Sequence, residues 1–556
     1  MMTSNHPGAA VLLQTWVACG LREVVVSPGS RNAPLVIAAQ AHPELQLVTA
    51  LDARSAAHVA LGLALKTGRP AAVVSTSGTA AVNHGPALAE AFFSGIPLVS
   101  ITADRPVSAR GTAPGQMVHQ TDLFRSHTLL SLEIDELELT AEAIVDIAHQ
   151  GWRAAQRGPV HVNVPFEEPL YALTNAPASD AQINLPLEEE EVQPMPEALQ
   201  DALSCHDPRV LVHIGALPLG GADAQMVESL EERFGLIVDA FAVAGTDAEG
   251  STARWLAGWD EHDVASPQAI VTVGLPPMDK RFRARVKAWG IPHYHIGTGA
   301  AADFFDTPVK HWKTSPAAGL TELIEAVPHV NAYAQAWSVR KAQLDALTAQ
   351  LQTDRWVDFE VFRWLAHHLP NASSIHFANS TSARYAQWFG WRGNRLHANR
   401  GVAGIDGCLS TAVGDAMQAP EEPTFLISGD AAWLYDANGL MVRPRPANLK
   451  IIVINNGGGN IFRWLDGPAK TGLLESHFEA GFAQDVSGSA KQLGLAYSLA
   501  VDWDSLAEGF DQWLNNAEPA LLEIRTPGEA SADYLKGQLA QLSDAMNRMN
   551  PNNESI

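Results

Sequence analysis

Short apolar runs and amphipathic stretches alternate along the first 171 residues of the chain. LREVVVSPGSR at 21–31, PAAVVSTSGTA at 70–80 and IPLVSITADRP at 96–106 are strand-like runs that end in polar or glycine-containing turns. Between them lie segments with apolar residues at helical spacing, such as APLVIAAQA at 33–41. This alternation predicts a mostly parallel sheet with helices on both faces.

Breaks in this pattern divide the chain into three predicted units. The stretch at 172–196 has four prolines and a glutamate run, which predicts a solvated linker. The stretch from 331 to 356 has the pattern of a long amphipathic helix. The predicted organisation is a first unit at 1–171, a linker at 172–196, a middle unit at 197–330, a linking helix at 331–356, a third unit at 357–540 and a polar tail at 541–556. The predicted fold class is α/β, with three doubly wound domains and mostly parallel sheets.

The charge balance narrows the choice of partners. The 556 residues include 37 Lys and Arg against 61 Asp and Glu, a formal net charge of −24. Such a surface repels nucleic acid and anionic lipid, so we expect neither as a partner.

Cys19, Cys205 and Cys408 have no metal-type spacing and indicate a reducing compartment. With no signal-peptide pattern and no apolar run of membrane-spanning length, we expect a cytoplasmic protein.

Two predicted strands of the third unit end on oxygen-bearing side chains beside glycine. TFLISGD ends at Asp430, and KIIVINN ends at Asn456 before three glycines. Ligands bind at the carboxyl ends of strands in open parallel sheets. Carboxylate and amide oxygens suit Mg²⁺, a carbonyl of the glycine turn at 457–459 adds another ligand, and helical N–H groups after Asp430 favour phosphate. Although each pair alone is an ordinary turn, together they predict a Mg²⁺–diphosphate site, with DANGLMVRP at 436–444 as the crossover helix.

This arrangement resembles the diphosphate-binding motif of thiamine-diphosphate (ThDP) enzymes. The resemblance implies a pyruvate-decarboxylase-like architecture with a pyrimidine-binding first domain, a middle domain and a diphosphate-binding third domain. It further implies ThDP with Mg²⁺ or Mn²⁺, bound between the first domain of one subunit and the third of another in a homodimer or homotetramer. The implied metal ligands are Asp430, Asn456 and Gly458, and the implied cofactor-binding residues are Pro28, Ser77, Gly78, Asn83, Gly404, Ile405, Gly429, Asp430, Ala431, Ala432, Asn456, Gly458, Asn460 and Ile461.

Further segments resemble one group of ThDP enzymes, the 2-succinyl-5-enolpyruvyl-6-hydroxy-3-cyclohexene-1-carboxylate (SEPHCHC) synthases of menaquinone biosynthesis. The segments are SPGSR at 27–31, TSGTA at 76–80, TADRP at 102–106, KR at 280–281, ANSTSAR at 378–384, NRGVAGIDG at 399–407 and NGGGNIF at 456–462. The resemblance implies decarboxylation of 2-oxoglutarate and a 1,4-addition of the resulting carbanion to isochorismate. Both substrates carry two carboxylates, which match the arginine forks at these predicted strand ends.

The resemblance also assigns roles to individual residues. It places Ser30, Arg31, Arg105, Gln116, Lys280 and Arg281 on the isochorismate side of the site. It places Ser380, Arg384 and Arg400 around the carboxylate derived from 2-oxoglutarate, with Ile405 as the apolar support of the cofactor. It makes Ile461, Phe462 and Leu465 an apolar wall, although such residues also suit an ordinary core.

The chain departs from the family pattern at Ala53, in LDARSAAHVALG, where a glutamate is expected. In the family that glutamate hydrogen-bonds the aminopyrimidine ring and helps to form the reactive ylide. Asp52 is a poor substitute because successive side chains at a strand end point to opposite faces. Three explanations stay open: an engineered inactivating change, a natural enzyme that activates ThDP by another route, and a homologue kept for binding or regulation.

Two other functions compete with the synthase hypothesis. One is a different ThDP-dependent 2-oxo-acid decarboxylase or carboligase, such as a relative of acetolactate synthase. The middle unit is short and lacks the GxGxxG spacing of a dinucleotide site. Together with the set of arginines, the short middle unit favours dicarboxylate substrates instead. The other is a catalytically silent ThDP-fold binding protein, suggested only by Ala53.

Overall fold

The computed structural model describes residues 2–110, 112, 115–175, 192–243, 266–299, 303–391, 393–481 and 485–549. Most of the predicted linker and the end of the predicted tail lie outside the described residues. The described chain forms sheets of seven, six, five and two strands. Helices separate most consecutive strands and the main sheets are largely parallel, which confirms the predicted α/β class. Among the described helices, none combines the length and apolar character that a membrane crossing needs.

The first unit is built around a parallel sheet whose four central strands are buried along their whole length. Its strands are β1 (Met2–Ser4), β2 (Glu23–Val26), β3 (Gln46–Ala50), β4 (Ala71–Ser75), β5 (Leu98–Asp104), β6 (Leu130–Glu133), β7 (Val160–Pro165) and β8 (Leu173–Asn175). Its helices are α1 (Pro7–Cys19), α2 (Ala33–Gln40), α3 (Ala53–Thr67), α4 (Thr79–Val82), α5 (Gly85–Ser94) and α6 (Ala141–Ala155). The parallel strands run in the order β3-β2-β4-β5-β7-β6, while β8, inside the predicted linker, pairs with β1.

The middle unit contains a wholly parallel sheet in the order β10-β9-β11-β12-β13. Its strands are β9 (Val210–Ile214), β10 (Gly235–Val238), β11 (Ala269–Val273), β12 (His293–Ile296) and β13 (Val309–Trp312). Its described helices are α7 (Glu197–Leu203), α8 (Ala224–Glu231), α9 (Lys280–Trp289) and α10 (Pro316–Ala326). The linking helix is α11 (Ala332–Gln350), which buries Tyr333, Trp337 and Leu344.

The third unit contains a parallel sheet in the order β15-β14-β16-β18-β20-β19. The unit's strands are β14 (Ser374–Phe377), β15 (Arg395–His397), β16 (Thr424–Gly429), β17 (Val442–Arg443), β18 (Leu449–Asn455), β19 (Ala496–Ala500) and β20 (Ala520–Arg525). Its helices are α12 (Asp358–His368), α13 (Thr381–Ala386), α14 (Cys408–Gln418), α15 (Asp430–Asp436), α16 (Asp466–Ala469), α17 (Val486–Gln492), α18 (Trp503–Leu514) and α19 (Gly528–Met549). Because β16 and β18 are neighbours, the two predicted ligand-bearing ends meet at one edge of the sheet.

The connection between β16 and β18 differs from the predicted crossover helix at 436–444. The helix starts earlier, at Asp430, and is followed by a 3-10 turn at Ala437–Leu440 and by β17. A β-carbon at Gly439 would lie 2.5 Å from Ser410 Oγ, so the turn packs directly on α14. β17 then pairs antiparallel with β3 of the first unit, which explains why this apolar stretch is extended rather than helical.

The predicted polar tail is also wrong over residues 541–549. Helix α19 continues to Met549, and it buries Leu542 and Met546 against a large apolar cluster. Those two side chains are four residues apart and therefore lie on one helix face. The polar composition of the segment hid this narrow apolar stripe.

Helices α3 and α14 join the first and third units through a close backbone contact. A β-carbon at Gly62 would lie 2.0 Å from the carbonyl oxygen of Thr411, and one at Gly414 would lie 2.1 Å from that of Val59. Only glycine allows two helices to approach so closely here. This contact fixes the position of α3, and hence of Ala53 at its start, relative to the third unit.

Candidate active site

Asp430 lies at the centre of the edge where β16 and β18 end. Its side chain is 1% exposed, with Oδ1 accepting from the Ala431 N–H at 2.6 Å and Oδ2 from the Gly457 N–H at 3.0 Å. Burial raises the pKa of Asp430 to about 6, although these backbone hydrogen bonds act in the opposite direction. Among the described residues no Lys, Arg or His forms an ion pair with it. A cation would relieve this cost of burial.

Asn456 presents its amide oxygen on the same edge. Its Nδ2 donates to Oδ2 of the buried Asp358 at 2.8 Å, and since a carboxylate only accepts, this contact assigns the nitrogen and leaves Oδ1 for a ligand. Gly458 has φ +136°, and a β-carbon there would lie 2.5 Å from the carbonyl oxygen of Glu479. The turn therefore requires glycine and brings backbone close to Asp430.

This set of oxygen donors fits a hard divalent cation. The described residues contain no group of three or more His, Cys, Asp or Glu side chains that could hold a metal. A metal here would consequently depend on one carboxylate, one amide and a backbone carbonyl, with the remaining positions left for phosphate and water. That incomplete protein shell is what a metal–diphosphate site requires.

An apolar support lies beside this edge. Ile405 packs against a small buried cluster formed by Ala378, Cys408 and Ala432. The carbonyl of Gly404 accepts from Asn379 Nδ2 at 2.6 Å, which holds the preceding residue in place. The structure thus brings the predicted cofactor residues Gly404, Ile405 and Ala432 together, close to the start of α15.

Two arginines converge at the neighbouring strand end. Nη1 of Arg400 donates to Asn379 Oδ1 at 2.7 Å, and Nη1 of Arg384 donates to the Met278 carbonyl at 3.4 Å. Burial lowers the pKa of both guanidinium groups, and the two lie near enough to repel each other. Among the described residues neither forms an ion pair with a carboxylate. Ser380, with φ +75°, precedes α13 and completes this group.

The contact of Arg384 with Met278 connects this group to the start of α9. Lys280 is the exposed first residue of that helix, and Arg281 follows it. Nη2 of Arg281 contacts Asp279 Oδ2 at 2.9 Å, so its charge already has a carboxylate partner. The predicted residues of the middle unit therefore lie beside those of the third.

A second group of predicted residues lies on the first unit. The Gly78 N–H donates to Gln120 Oε1 at 2.9 Å, and a β-carbon at Gly78 would lie 2.9 Å from the carbonyl carbon of Gln116. Arg105 Nη2 donates to the Gly115 carbonyl at 3.3 Å. The structure thus joins Ser77–Gly78, Arg105 and Gln116, while Asn83 and Pro28 are exposed.

Arg31 and Ser30 are engaged within the first unit. Arg31 is 7% exposed, donates to the Phe166 carbonyl at 3.1 Å and forms an ion pair with Glu168 at 3.0 Å. Ser30 Oγ lies 2.9 Å from the hydroxyl of Tyr171. Arg31 is thus a buried, anchored group rather than a loose surface charge.

Ala53 is the first residue of α3, not the end of a strand. Asp52 caps the helix, since Oδ1 accepts from the N–H groups of Arg54 at 2.8 Å and Ser55 at 3.3 Å. Asn438 also donates to Asp52 Oδ2 at 3.3 Å. The conclusion that Asp52 does not replace the missing glutamate therefore rests on a different reason from the strand geometry expected from the sequence. Asp52 caps α3 and accepts a hydrogen bond from the third unit.

The predicted apolar wall is only partly enclosed in one chain. Phe462 packs on Phe478 with ring centroids 5.8 Å apart, Ile461 is half-buried, and Leu465 is 40% exposed. Asn460 is buried and donates to the Gly528 carbonyl at 2.7 Å. Leu465 is therefore not a core residue of the single chain.

Sequence reasoning missed three buried polar residues that hold the site. Asn379 fastens the loop at 399–405, Asp358 binds the amide of Asn456, and Glu90 of α5 accepts from the Gly401 and Val402 N–H groups at 2.7 and 2.8 Å. A glutamate among the small residues of GPALAEAFF was the only signal for Glu90. For Asp358 the sequence carries no signal that we can identify.

Comparison with known proteins identifies the class to which this fold and site belong. Residues 6–125 match the model of the thiamine pyrophosphate enzyme N-terminal TPP binding domain, and residues 378–524 match the C-terminal TPP binding domain. The chain therefore belongs to the thiamine pyrophosphate enzymes.

Similarity over nearly the whole chain narrows this class. The chain is 33% identical to the SEPHCHC synthase of Flavobacterium psychrophilum, covering 95% of this chain and 97% of that protein. It is 32% identical to the SEPHCHC synthase of Flavobacterium johnsoniae, over 96% and 99% of the two chains, and 32% identical to that of Porphyromonas gingivalis, over 97% and 98%. The chain belongs to the SEPHCHC synthase family of ThDP-dependent transferases.

Proposed function

We propose that this protein uses ThDP and a divalent cation, Mg²⁺ or Mn²⁺, to decarboxylate 2-oxoglutarate and to add the remaining fragment to isochorismate, giving SEPHCHC in menaquinone biosynthesis. The names of its relatives support this assignment. One structural observation supports it independently: Arg384 and Arg400 are half-buried guanidinium groups, and in the described chain neither lies within ion-pair distance of a carboxylate, although Asp279 and Asp239 are near enough to interact with them. Half-buried cations of this kind complement a carboxylate-rich substrate.

The residues of the chain divide the work between binding and orientation. ThDP, when bound, supplies the carbon nucleophile and electron sink for decarboxylation of a 2-oxo acid. Asp430, Asn456 and the carbonyl at Gly458 hold the cation that neutralises the diphosphate. Ile405 provides the apolar support of the cofactor. Ser380, Arg384 and Arg400 bind and orient 2-oxoglutarate, which fixes the reacting geometry and excludes water.

The second substrate belongs with the other group of residues. Ser30, Arg31, Arg105, Gln116, Lys280 and Arg281 form the isochorismate side in this proposal. Among the described residues no hydrogen bond or ion pair joins the first-unit members of this group to the third-unit cofactor residues of the same chain. This supports a homo-oligomer, dimer or tetramer, in which two chains complete each site.

The proposed domains are those predicted from the sequence, except that the last helix of the third unit continues to Met549. A cytoplasmic location stays a prediction. Two other functions compete with this proposal. A carboligase acting on a monocarboxylate would leave Arg384 and Arg400 without a role, which disfavours it. A ThDP-binding protein without catalysis is favoured only by Ala53, since Asp52 does not replace the missing glutamate.

The test compares the chain with its Ala53→Glu variant in the presence of ThDP and Mg²⁺. We expect the variant to release CO₂ from 2-oxoglutarate and to consume isochorismate, at a rate above that of the parent by the ~10²–10⁴-fold typical of a positioned acid–base group. CO₂ release from pyruvate but not from 2-oxoglutarate would favour the other carboligase. ThDP binding without CO₂ release by either protein would favour the silent homologue and refute the proposal.

A further inference from the structure

Asp358 is a buried carboxylate that touches the proposed metal site without belonging to it. It is the first residue of α12, it is 0% exposed, and it lies 98 positions from Asn456 along the chain. Oδ2 accepts from Asn456 Nδ2 at 2.8 Å, Oδ1 accepts from the hydroxyl of Thr526, and the Asp358 N–H donates to Ser531 Oγ at 3.0 Å. Both carboxylate oxygens are thus used, and among the described residues no cation pairs with them.

The contact with Asn456 fixes which atom of that amide faces the metal. A free asparagine amide can turn over and present either its oxygen or its NH₂ group, and the NH₂ group cannot bind a cation. A carboxylate accepts hydrogen bonds only, so Asp358 holds Nδ2 and leaves Oδ1 outward. Removal of this carboxylate leaves both orientations available.

The negative charge of Asp358 provides a second contribution to cation binding. Asp358 is close enough to Asp430 for the two carboxylates to interact, and both are almost completely buried. Two neighbouring buried anions disfavour each other and favour a dication between or beside them. Hydrogen bonds connect the backbone around them: Asn460 Nδ2 donates to the Gly528 carbonyl at 2.7 Å, and the Thr526 N–H donates to the Asn455 carbonyl at 3.2 Å.

We propose that Asp358 is a positioning residue for the cofactor metal: it locks Asn456 with its amide oxygen toward the cation and thereby sets divalent-cation affinity. This inference rests on the proposed metal–ThDP function. Asp358 lies outside the GD and NN segments and belongs to α12, the helix that follows the linking helix. Partners behind a ligand typically contribute 10–100-fold to metal affinity, which sets the scale of the expected effect (~10–100-fold).

The experiment measures the Mg²⁺ concentration that half-saturates ThDP binding, by calorimetric titration of ThDP at a series of Mg²⁺ concentrations. It requires no turnover, so it is independent of Ala53. Asp358→Ala should raise this concentration by ~10–100-fold. Asp358→Asn should raise it only several-fold, because its oxygen can accept from Asn456 while its NH₂ group donates to Thr526 Oγ1 after the hydroxyl rotates.

Glu523 offers a matched control on the other asparagine of the pair. It is 0% exposed and accepts from Asn455 Nδ2 at 2.8 Å. Glu523→Ala removes a buried carboxylate that holds the asparagine next to Asn456, and it also frees Arg525, which contacts Glu523 Oε1 at 2.6 Å. We expect this variant to leave the Mg²⁺ dependence unchanged. Equal shifts in Asp358→Ala and Glu523→Ala would show a general loss of structure and would overturn the positioning role.

A double-mutant cycle provides the decisive comparison. If Asp358 acts mainly through Asn456, Asp358→Ala should have a much smaller effect in an Asn456→Ala background than in the parent, the remainder being its charge, whereas independent effects would add in full. Fully additive effects, or an unchanged Mg²⁺ dependence in Asp358→Ala, would overturn the inference while leaving the proposed function intact. Absence of Mg²⁺-dependent ThDP binding in the parent protein would overturn both.

Discussion

Glu90 connects the first unit to the loop that carries Arg400 and Ile405, and its removal gives a sharp test of how the site is held. Its carboxylate is 2% exposed and accepts from two consecutive N–H groups, those of Gly401 and Val402. Glu90→Ala would leave both donors without a partner. A buried unsatisfied donor costs ~1–3 kcal/mol, so two such donors would cost ~2–6 kcal/mol. Because the loop is partly exposed, we expect a loss of stability in the lower part of this range, ~2–4 kcal/mol.

That loss would act on the cofactor site because the loop would no longer have one conformation. If ~2 kcal/mol of the tether favours the binding-competent loop, its loss weakens apparent ThDP affinity by up to ~30-fold. Glu90→Gln should have an intermediate effect, since its oxygen can accept one N–H while its NH₂ group faces the other. The measurement is ThDP affinity by calorimetry at saturating Mg²⁺, together with the thermal unfolding temperature of each variant.

Glu136 supplies the matched control inside the first unit. It is a buried carboxylate that accepts from the Gly8 N–H at 2.8 Å and contacts His6, away from the loop. Glu136→Ala should lower the unfolding temperature and leave ThDP affinity unchanged. Unchanged ThDP affinity in Glu90→Ala, despite a similar loss of stability, would refute the idea that Glu90 fixes the loop.

Three further predictions follow from the same structure. Asp430→Ala should weaken ThDP binding in Mg²⁺ by at least the ~1.5–3 kcal/mol of a hydrogen bond to a charged group, and unchanged calorimetric affinity would exclude Asp430 from the site. In an active variant, Arg384→Ala or Arg400→Ala should raise the KM for 2-oxoglutarate more than that for isochorismate, and Arg281→Ala should do the reverse. Equal shifts would contradict the proposed division. Burial lowers the pKa of His213 to about 3 and of His293 and His295 to about 4, so the folded state binds fewer protons than the unfolded state. Stability from these groups is complete above pH ~6.5 and falls toward pH ~4, by ~1.4 kcal/mol per pKa unit, and denaturant midpoints at both ends of this range measure it. His213→Gln should reduce that loss.

The α/β pattern and the meeting of the β16 and β18 ends were predictable because they depend on local sequence. β16 and β18 contain the apolar runs FLI at 425–427 and IIVI at 451–454, which end shortly before Asp430 and Asn456, and parallel pairing then brings the strand ends together. The predicted helix over 436–444 failed for a different reason. β17 is extended because it pairs with β3, a partner almost 400 positions away that no local pattern reveals.

The missed residues share that dependence on distant segments. Asp358, Asn379 and Glu90 are ordinary polar residues in their own helices or turns, and each gains its role only from a loop elsewhere in the chain. The tail prediction failed similarly, since Leu542 and Met546 became a buried stripe only through packing. Motifs thus predict candidate ligand-binding atoms, whereas the groups that hold those motifs in place required the structure.

The two kinds of charge at these neighbouring strand ends argue that binding and proton transfer are separable here. Asp430 and Asp358 form an anionic side without a described cation partner, and Arg384 and Arg400 form a cationic side without a described ion-pair partner. Each arrangement is costly in isolation and favourable with a metal diphosphate or a dicarboxylate bound. A chain that had lost its ligands would have little reason to keep both. Ala53 alters neither side, since it lies at the start of α3 and bears no charge. These charges support the proposal that the site binds cofactor and substrate, and the Ala53→Glu variant tests separately how fast they react.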